Sequence, residues 1–257
     1  MNLPSSATKS SLVLALFILF SAPSGVLAEP KNLDEIVDKA LRLKPDLENG
    51  KKLYRNCALC HTPEGWGSPG GRFPQIAGQH QSVILKQLAD IHDGNRDNPT
   101  MYPFSERAFA QGAQALADLS AYVARLPMVP NNTVGPGADL ELGKKLYHDN
   151  CKKCHGANGE GDPEEFYPRI AGQHFLYLLR QLEWIKIKKR RNADEKMVKQ
   201  IHGFDLKELS AVADYVSRLR PDKTLLADHL DWRNPDFRRD FRTAQKAQRE
   251  LAEEGDK

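Results

Sequence analysis

An all-α chain made of two tandem copies of one small helical unit is what this sequence predicts, on three observations. The first is internal self-similarity. Gly50-Lys-Lys-Leu-Tyr54 returns as Gly143-Lys-Lys-Leu-Tyr147, Phe73-Pro-Gln-Ile-Ala-Gly-Gln-His80 returns as Tyr167-Pro-Arg-Ile-Ala-Gly-Gln-His174, and Lys86-Gln-Leu88 returns as Arg180-Gln-Leu182. The second is periodicity. Each copy closes on apolar residues three and four apart: Leu116, Leu119, Tyr122, Val123 and Leu126 in one, Leu209, Val212, Tyr215, Val216 and Leu219 in the other. That spacing belongs to a helix with one buried face. The third is punctuation. Pro127 to Gly137 holds three prolines, two glycines and paired asparagines, which suits a linker without regular structure. Copies this long indicate two related domains rather than a solenoid, whose repeats run about 20–50 residues.

Taken in order, residues 1–28 read as a signal peptide and 29–45 as a lead-in. The first domain spans 46–128, a linker 129–137, the second domain 138–222, and a charged extension 223–257. Lys9 supplies the short positive region, Leu12 to Phe20 the apolar run, and Val26-Leu27-Ala28 the small residues of a cleavage site before Glu29. The apolar run falls short of the ~20 residues that span a bilayer, so cleavage is preferred to anchoring. Each domain is small, and a covalent apolar cofactor would serve as its centre.

All four cysteines fall in two copies of one pattern, Cys57-Ala-Leu-Cys60-His61 and Cys151-Lys-Lys-Cys154-His155. Cys-x-x-Cys-His is the covalent haem-attachment motif. Each thiol adds to a porphyrin vinyl group, residues three apart share a helix face, and the adjoining histidine reaches the iron. A four-thiolate zinc site normally has its pairs roughly 15–20 residues apart, and neither zinc nor a redox dithiol explains His61 and His155. With both pairs committed to haem, no disulfide is expected even in an oxidising compartment.

A haem iron in an electron carrier takes a second axial ligand. Met1 begins the chain and Met128 sits at the linker. Met101 and Met197 therefore remain, one per copy, at nearly the same distance after their motifs. They are the expected sulfur ligands; core packing is the plain alternative for a lone methionine. His80 and His174 are the reserve, although they lie close to the motif at the start of a predicted helix. Pro74 and Pro168 each follow their histidine by thirteen residues. Their carbonyls are placed either to accept the far ring proton and fix the tautomer or simply to turn the chain.

These residues resemble those of class I c-type cytochromes, and the doubled form resembles the dihaem cytochrome c₄ family over roughly 45 to 220. The resemblance implies two tandem class I cytochrome c domains packed face to face, with haems near the interface. It implies that Gly50 and Gly143 let the last helix cross closely, with Tyr122 and Tyr215 as aromatic partners. It also implies Met101 and Met197 as distal ligands, and Pro74 and Pro168 as the residues holding the histidines. Two departures stand out: the first copy is one residue shorter between Tyr54 and its first cysteine, and the extension has no counterpart in the family core.

The formal net charge is +3. Residues 46–128 and 223–257 balance, whereas 138–222 carry +2, with a dense run from Lys186 to Arg191 and with Lys152 and Lys153 inside the motif. Such a face steers encounter with an acidic partner or is simply a solvated helix face. Nucleic acid is not expected, because the chain reads as exported and the basic run from Lys186 to Arg191 holds no aromatic residue. In the extension, Trp232, Phe237 and Phe241 lie among arginines, and Phe237, Phe241 and Ala244 carry helical spacing.

The expected function is single-electron transfer by two covalently bound haem c groups, not catalysis. The protein would be periplasmic and exported, with room for peripheral membrane association. The donor would be a quinol-oxidising complex or a dehydrogenase, and the acceptor a terminal oxidase or reductase. The alternatives are a cytochrome subunit of a dehydrogenase complex, with the extension as docking element, and a dihaem peroxidase or sulfur oxidoreductase. A peroxidase needs a distal acid–base group, which nothing in the sequence marks.

Overall fold

The computed structural model describes residues 33–191, 195–238 and 241. The expected signal peptide lies outside these residues, as does most of the helix expected from Phe237 to Ala244. The described chain is helical, and its only β pairings are isolated bridges.

Domain 1 holds α1 (Leu33–Arg42), α2 (Leu47–His61), α3 (Gln81–His92), α4 (Tyr102–Phe109) and α5 (Gly112–Ala124). Asp46 starts α2, its side chain accepting from the backbone N–H groups of Glu48 and Asn49 at 3.0 and 3.2 Å. This satisfies two donors that the first turn leaves orphaned. Helix α5 crosses α2 at Gly50, where a Cβ would stand 2.2 Å from the Asp118 carbonyl oxygen, so only glycine allows the approach. The expected lead-in includes helix α1, whose Val37 and Ala40 are buried in the domain 1 core.

Domain 2 repeats the plan with α6 (Leu140–Asn150), α7 (Lys152–His155), α8 (Phe175–Lys186), α9 (Glu195–Ile201) and α10 (Leu206–Ser217). Helix α10 opens on a capping box between Asp205 and Glu208. It crosses α6 at Gly143, where a Cβ would meet the Ala211 carbonyl at 2.1 Å. The one-residue difference in the sequence has a visible consequence. Helix α2 runs unbroken through its motif, whereas α6 stops at Asn150 and the chain restarts as α7 after Cys151. One extra residue on a continuous helix would turn everything after it by about 100°. The break at Cys151 returns the cysteines and His155 to the face that domain 1 uses.

The two domains meet through a reciprocal exchange that sequence reasoning did not find. The Gln79 side chain accepts from Arg169 N–H and donates to Arg169 C=O, both at 2.9 Å. At the matched positions of the repeat, Gln173 accepts from Gln75 N–H at 3.0 Å and donates to Gln75 C=O at 2.8 Å. His80 Nε2 donates to the Glu160 carbonyl and His174 Nε2 to the Trp66 carbonyl, each at 2.8 Å. The repeated Ile-Ala-Gly-Gln-His stretch is thus the seam between domains.

After domain 2 the chain returns to domain 1. Met128 of the linker exchanges backbone bonds with Leu225 and Ala227. Trp232 then lies against Trp66, Asn234 is buried, and Phe237 joins the core beside Tyr54.

Candidate haem sites

Both histidines of the motifs are nearly sealed from solvent, His61 at 4% and His155 at 8% exposure. His61 Nδ1 donates to the Pro74 carbonyl at 2.9 Å, and His155 Nδ1 donates to the Pro168 carbonyl at 3.0 Å. The carbonyl can only accept, so the ring proton sits on Nδ1. Burial pulls both imidazoles below their ordinary pKa, with the carbonyl bond opposing it. Each ring is therefore neutral, fixed in one tautomer, and presents a lone pair on Nε2. That is the form an iron ligand must take.

The turn behind each histidine is tied to its domain by a buried tyrosine. Tyr54 donates to the Thr62 carbonyl at 2.7 Å and Tyr147 to the Gly156 carbonyl at 2.6 Å. Cys57 and Cys60 lie on the last turns of α2, and Cys57 lines a cleft whose apolar wall is Leu53, Phe104, Ala108 and Leu119 and whose polar rim includes Asn56, Arg107 and Gln111. None of the four cysteines is in a disulfide. Burial pushes the Cys57 and Cys151 thiols up to about 12, with the neighbouring cysteine adding to it. Protonated thiols of this kind are poor thiolate ligands and poor redox nucleophiles. Among the described residues no three His, Cys, Asp or Glu side chains are grouped to hold a metal ion. The donors present thus fit covalent haem, not a thiolate zinc centre.

The other expected site residues divide clearly. Met101 opens α4 and Met197 lies in α9, the short helices that follow α3 and α8; both are half-buried. His80 and His174 cap α3 and α8 and face the opposite domain. His174 Nδ1 also accepts from the Thr133 N–H at 3.3 Å, so both its ring nitrogens are engaged.

The basic run from Lys186 to Arg191 is not one solvent face. Lys188, Lys189 and Arg191 are exposed, but Lys186 donates to the Phe204 carbonyl and Arg190 turns inward. Arg190 bridges to Arg96 across the domain seam, and both guanidinium groups donate to Gln181 Oε1, at 3.2 and 3.1 Å. Burial, and then Arg96, lowers the Arg190 pKa to about 10. Tyr177, which Arg96 also bonds at 2.9 Å, has its phenol pulled below its usual value: burial alone would raise it, and the surrounding arginines outweigh that. Asp90 and Tyr177 oppose the repulsion between the two arginines, and the propionates of a bound haem would add further negative charge. The matched spacing of Arg96 and Arg190 after their histidines was a sequence signal for this pair.

Buried neutral imidazoles beside paired thiols, once in each of two helical domains, define a haem-c protein with two centres. The family model for cytochrome c matches residues 47–127 and 140–220. Cytochrome c4 of Pseudomonas aeruginosa is 32% identical over 182 residues, covering 68% of this chain and 89% of that one. A thiosulfate dehydrogenase electron acceptor of Stutzerimonas stutzeri is 29% identical, covering 72% of this chain and 92% of that one. The crystal structure of reduced recombinant cytochrome c4 from Pseudomonas stutzeri superposes with a TM-score of 0.60 at 26% identity, covering 69% of this chain and all of that one. The chain belongs to the cytochrome c family, and within it to the dihaem cytochromes c4. It carries two covalently bound haem c groups and is an electron-transfer protein.

Proposed function

We propose that the protein is an exported periplasmic carrier of single electrons, with His61 and Met101 as iron ligands in domain 1 and His155 and Met197 in domain 2. Cys57 and Cys60 would hold one haem and Cys151 and Cys154 the other. The observation that carries this reading is the twice-repeated imidazole whose Nδ1 proton is given to a proline carbonyl. When bound, haem supplies reversible one-electron exchange between ferric and ferrous iron. The chain's own tasks are positional. Pro74 and Pro168 orient the rings and raise their basicity. Met101 and Met197 supply soft sulfur that favours the ferrous state. Arg96 and Arg190 would offset propionate charge.

The donor is a quinol-oxidising complex or a periplasmic dehydrogenase, and the acceptor a terminal oxidase or reductase. The relative named as an electron acceptor of thiosulfate dehydrogenase supports a dehydrogenase donor. Lys152, Lys153, Lys188 and Lys189 are exposed on domain 2 and suit an acidic partner face. Among the described residues no helix is long and apolar enough to cross a membrane. A fixed subunit of a dehydrogenase complex, with the charged extension as docking element, is the second reading; within that extension Asn234 and Phe237 are buried on domain 1.

A redox titration followed by optical and magnetic spectra tests this. Two haems with histidine and sulfur ligation are expected, together with the weak red charge-transfer band of sulfur–iron bonding. Met101→Ala or Met197→Ala should lower one midpoint and open that haem to carbon monoxide. Native protein that already binds carbon monoxide, or a band unchanged in both variants, defeats the ligand assignment.

A further inference from the structure

The turn directly behind the axial histidine is built differently in the two domains. Domain 2 opens it with Gly156, at φ 82° and ψ 174°. Domain 1 has Thr62 at the same place, at φ 67° and ψ 157°. That region of backbone space belongs almost solely to glycine. A β-branched residue is held there only where the surroundings over-determine it.

Thr62 itself is bonded from within domain 1, its carbonyl by Tyr54 and Gly65 and its hydroxyl by the Trp66 N–H, but the two residues that follow it are gripped from the far end of the chain. Asn234 is 2% exposed. Its side-chain N–H groups donate to the Pro63 carbonyl at 2.7 Å and to the Tyr122 hydroxyl at 3.0 Å, and its backbone N–H donates to Glu64 Oε1 at 3.2 Å. Phe237 meets Tyr54 edge-on, and Asp236 bonds both Tyr122 and Lys51. Three of the receiving residues differ between the copies: Pro63, Glu64 and Trp66 stand where domain 2 has Ala157, Asn158 and Glu160. Domain 2, with glycine in its turn, lacks these three residues while keeping Lys144, Tyr147 and Tyr215 where domain 1 has Lys51, Tyr54 and Tyr122, and among the described residues the C-terminal segment docks on domain 1 alone.

We propose that residues 232–237 are a positioning element for the domain 1 iron site, in which Asn234 grips Pro63 and Glu64 and so holds the strained Thr62 turn closed behind His61. This rests on His61 being the axial ligand, as proposed above. If the grip is lost, the turn relaxes, His61 loses its fixed orientation, and water reaches that side of the haem. Water favours ferric iron, the more highly charged state, whereas a weakened Nδ1–H bond to Pro74 lowers the basicity of His61 and acts the other way, so the midpoint of domain 1 moves by the difference.

The test uses the full chain carrying Asn234→Ala, Thr62→Gly, or both, in a spectroelectrochemical titration. The Cys151→Ser/Cys154→Ser variant, which retains only the first haem, assigns the two midpoints. Asn234→Ala should shift the domain 1 midpoint and leave that of domain 2 in place. Thr62→Gly should restore the midpoint in the double variant, because glycine needs no grip. A domain 1 midpoint unmoved by Asn234→Ala, a shift in both domains, or no rescue by glycine overturns the proposal. Should Asn234→Ala fail to accumulate, the double variant is expected to accumulate with the native midpoint, and its failure overturns the proposal equally. Failure of the axial assignment looks different: the unaltered protein would then lack histidine–iron signals before any substitution.

Discussion

Domain 1 carries its haem motif on one unbroken helix, buries Tyr122, and is covered by α1 and the returning C-terminal segment. Domain 2 breaks its motif helix at Cys151, leaves Tyr215 half-exposed, and has no such cover among the described residues. Yet the glycine crossing, the tyrosine tied to the turn, and the imidazole bonded to a proline carbonyl are alike in both. What the copies share is therefore what holding an iron requires. What they do not share is free to set them apart, in stability, in potential and in which face a partner meets.

The largest expected effect breaks the equivalence outright. Cys151→Ser with Cys154→Ser should leave one equivalent of pigment after acid organic extraction, as should Cys57→Ser with Cys60→Ser. Two equivalents surviving either change would end the two-centre account. Next come the crossings. Gly50→Ala and Gly143→Ala each force a methyl group against a carbonyl, and each should cost roughly 3 kcal/mol in thermal unfolding, the upper part of the overpacking range. Unequal losses would show that the cover on domain 1 changes how far its crossing can give.

The tyrosines sharpen the contrast further. Tyr122 bonds Asp236 at 2.9 Å and Asn234 at 3.0 Å, whereas the Tyr215 ring packs on Tyr147. Tyr122→Phe should therefore cost about 1–2 kcal/mol, and Tyr215→Phe should stay within about 0.5 kcal/mol. The smallest effect is on the seam. Burial lowers the pKa of His80 and His174 in the folded protein, against an opposing carbonyl bond. The unfolded chain takes up these protons near pH 6.5, before the folded one does, so stability falls as the pH drops below about 6.5 and is complete above it. His174→Gln should flatten that slope in acid-dependent unfolding; an unchanged slope would place the acid sensitivity elsewhere.

Much of this was legible in the sequence because it depends on local spacing. Cys-x-x-Cys-His on a helix, glycine in register with tyrosine, and proline thirteen residues after histidine are short-range patterns, and each proline carbonyl lies where the pattern placed it. The seam was not legible, although its residues were noticed as a repeat. A glutamine side chain pairing with a backbone across 90 or 98 residues depends on how the finished domains dock. The extension was unreadable for the same reason: Asn234 and Phe237 acquire meaning only beside Pro63, Glu64 and Tyr54. Arg190 looked like one more charge in a basic run, and only the fold turns it inward to meet Arg96.

The glutamine exchange has a consequence for how such a chain arises. Each half contributes one donor–acceptor amide and one receiving backbone segment, so the contact obeys the self-complementarity of a two-fold dimer. A single unit already holds both parts and needs only a copy of itself. Joining two copies end to end required no new surface. It makes the meeting an event inside one molecule, which raises the effective concentration of each partner, and leaves each copy free to diverge.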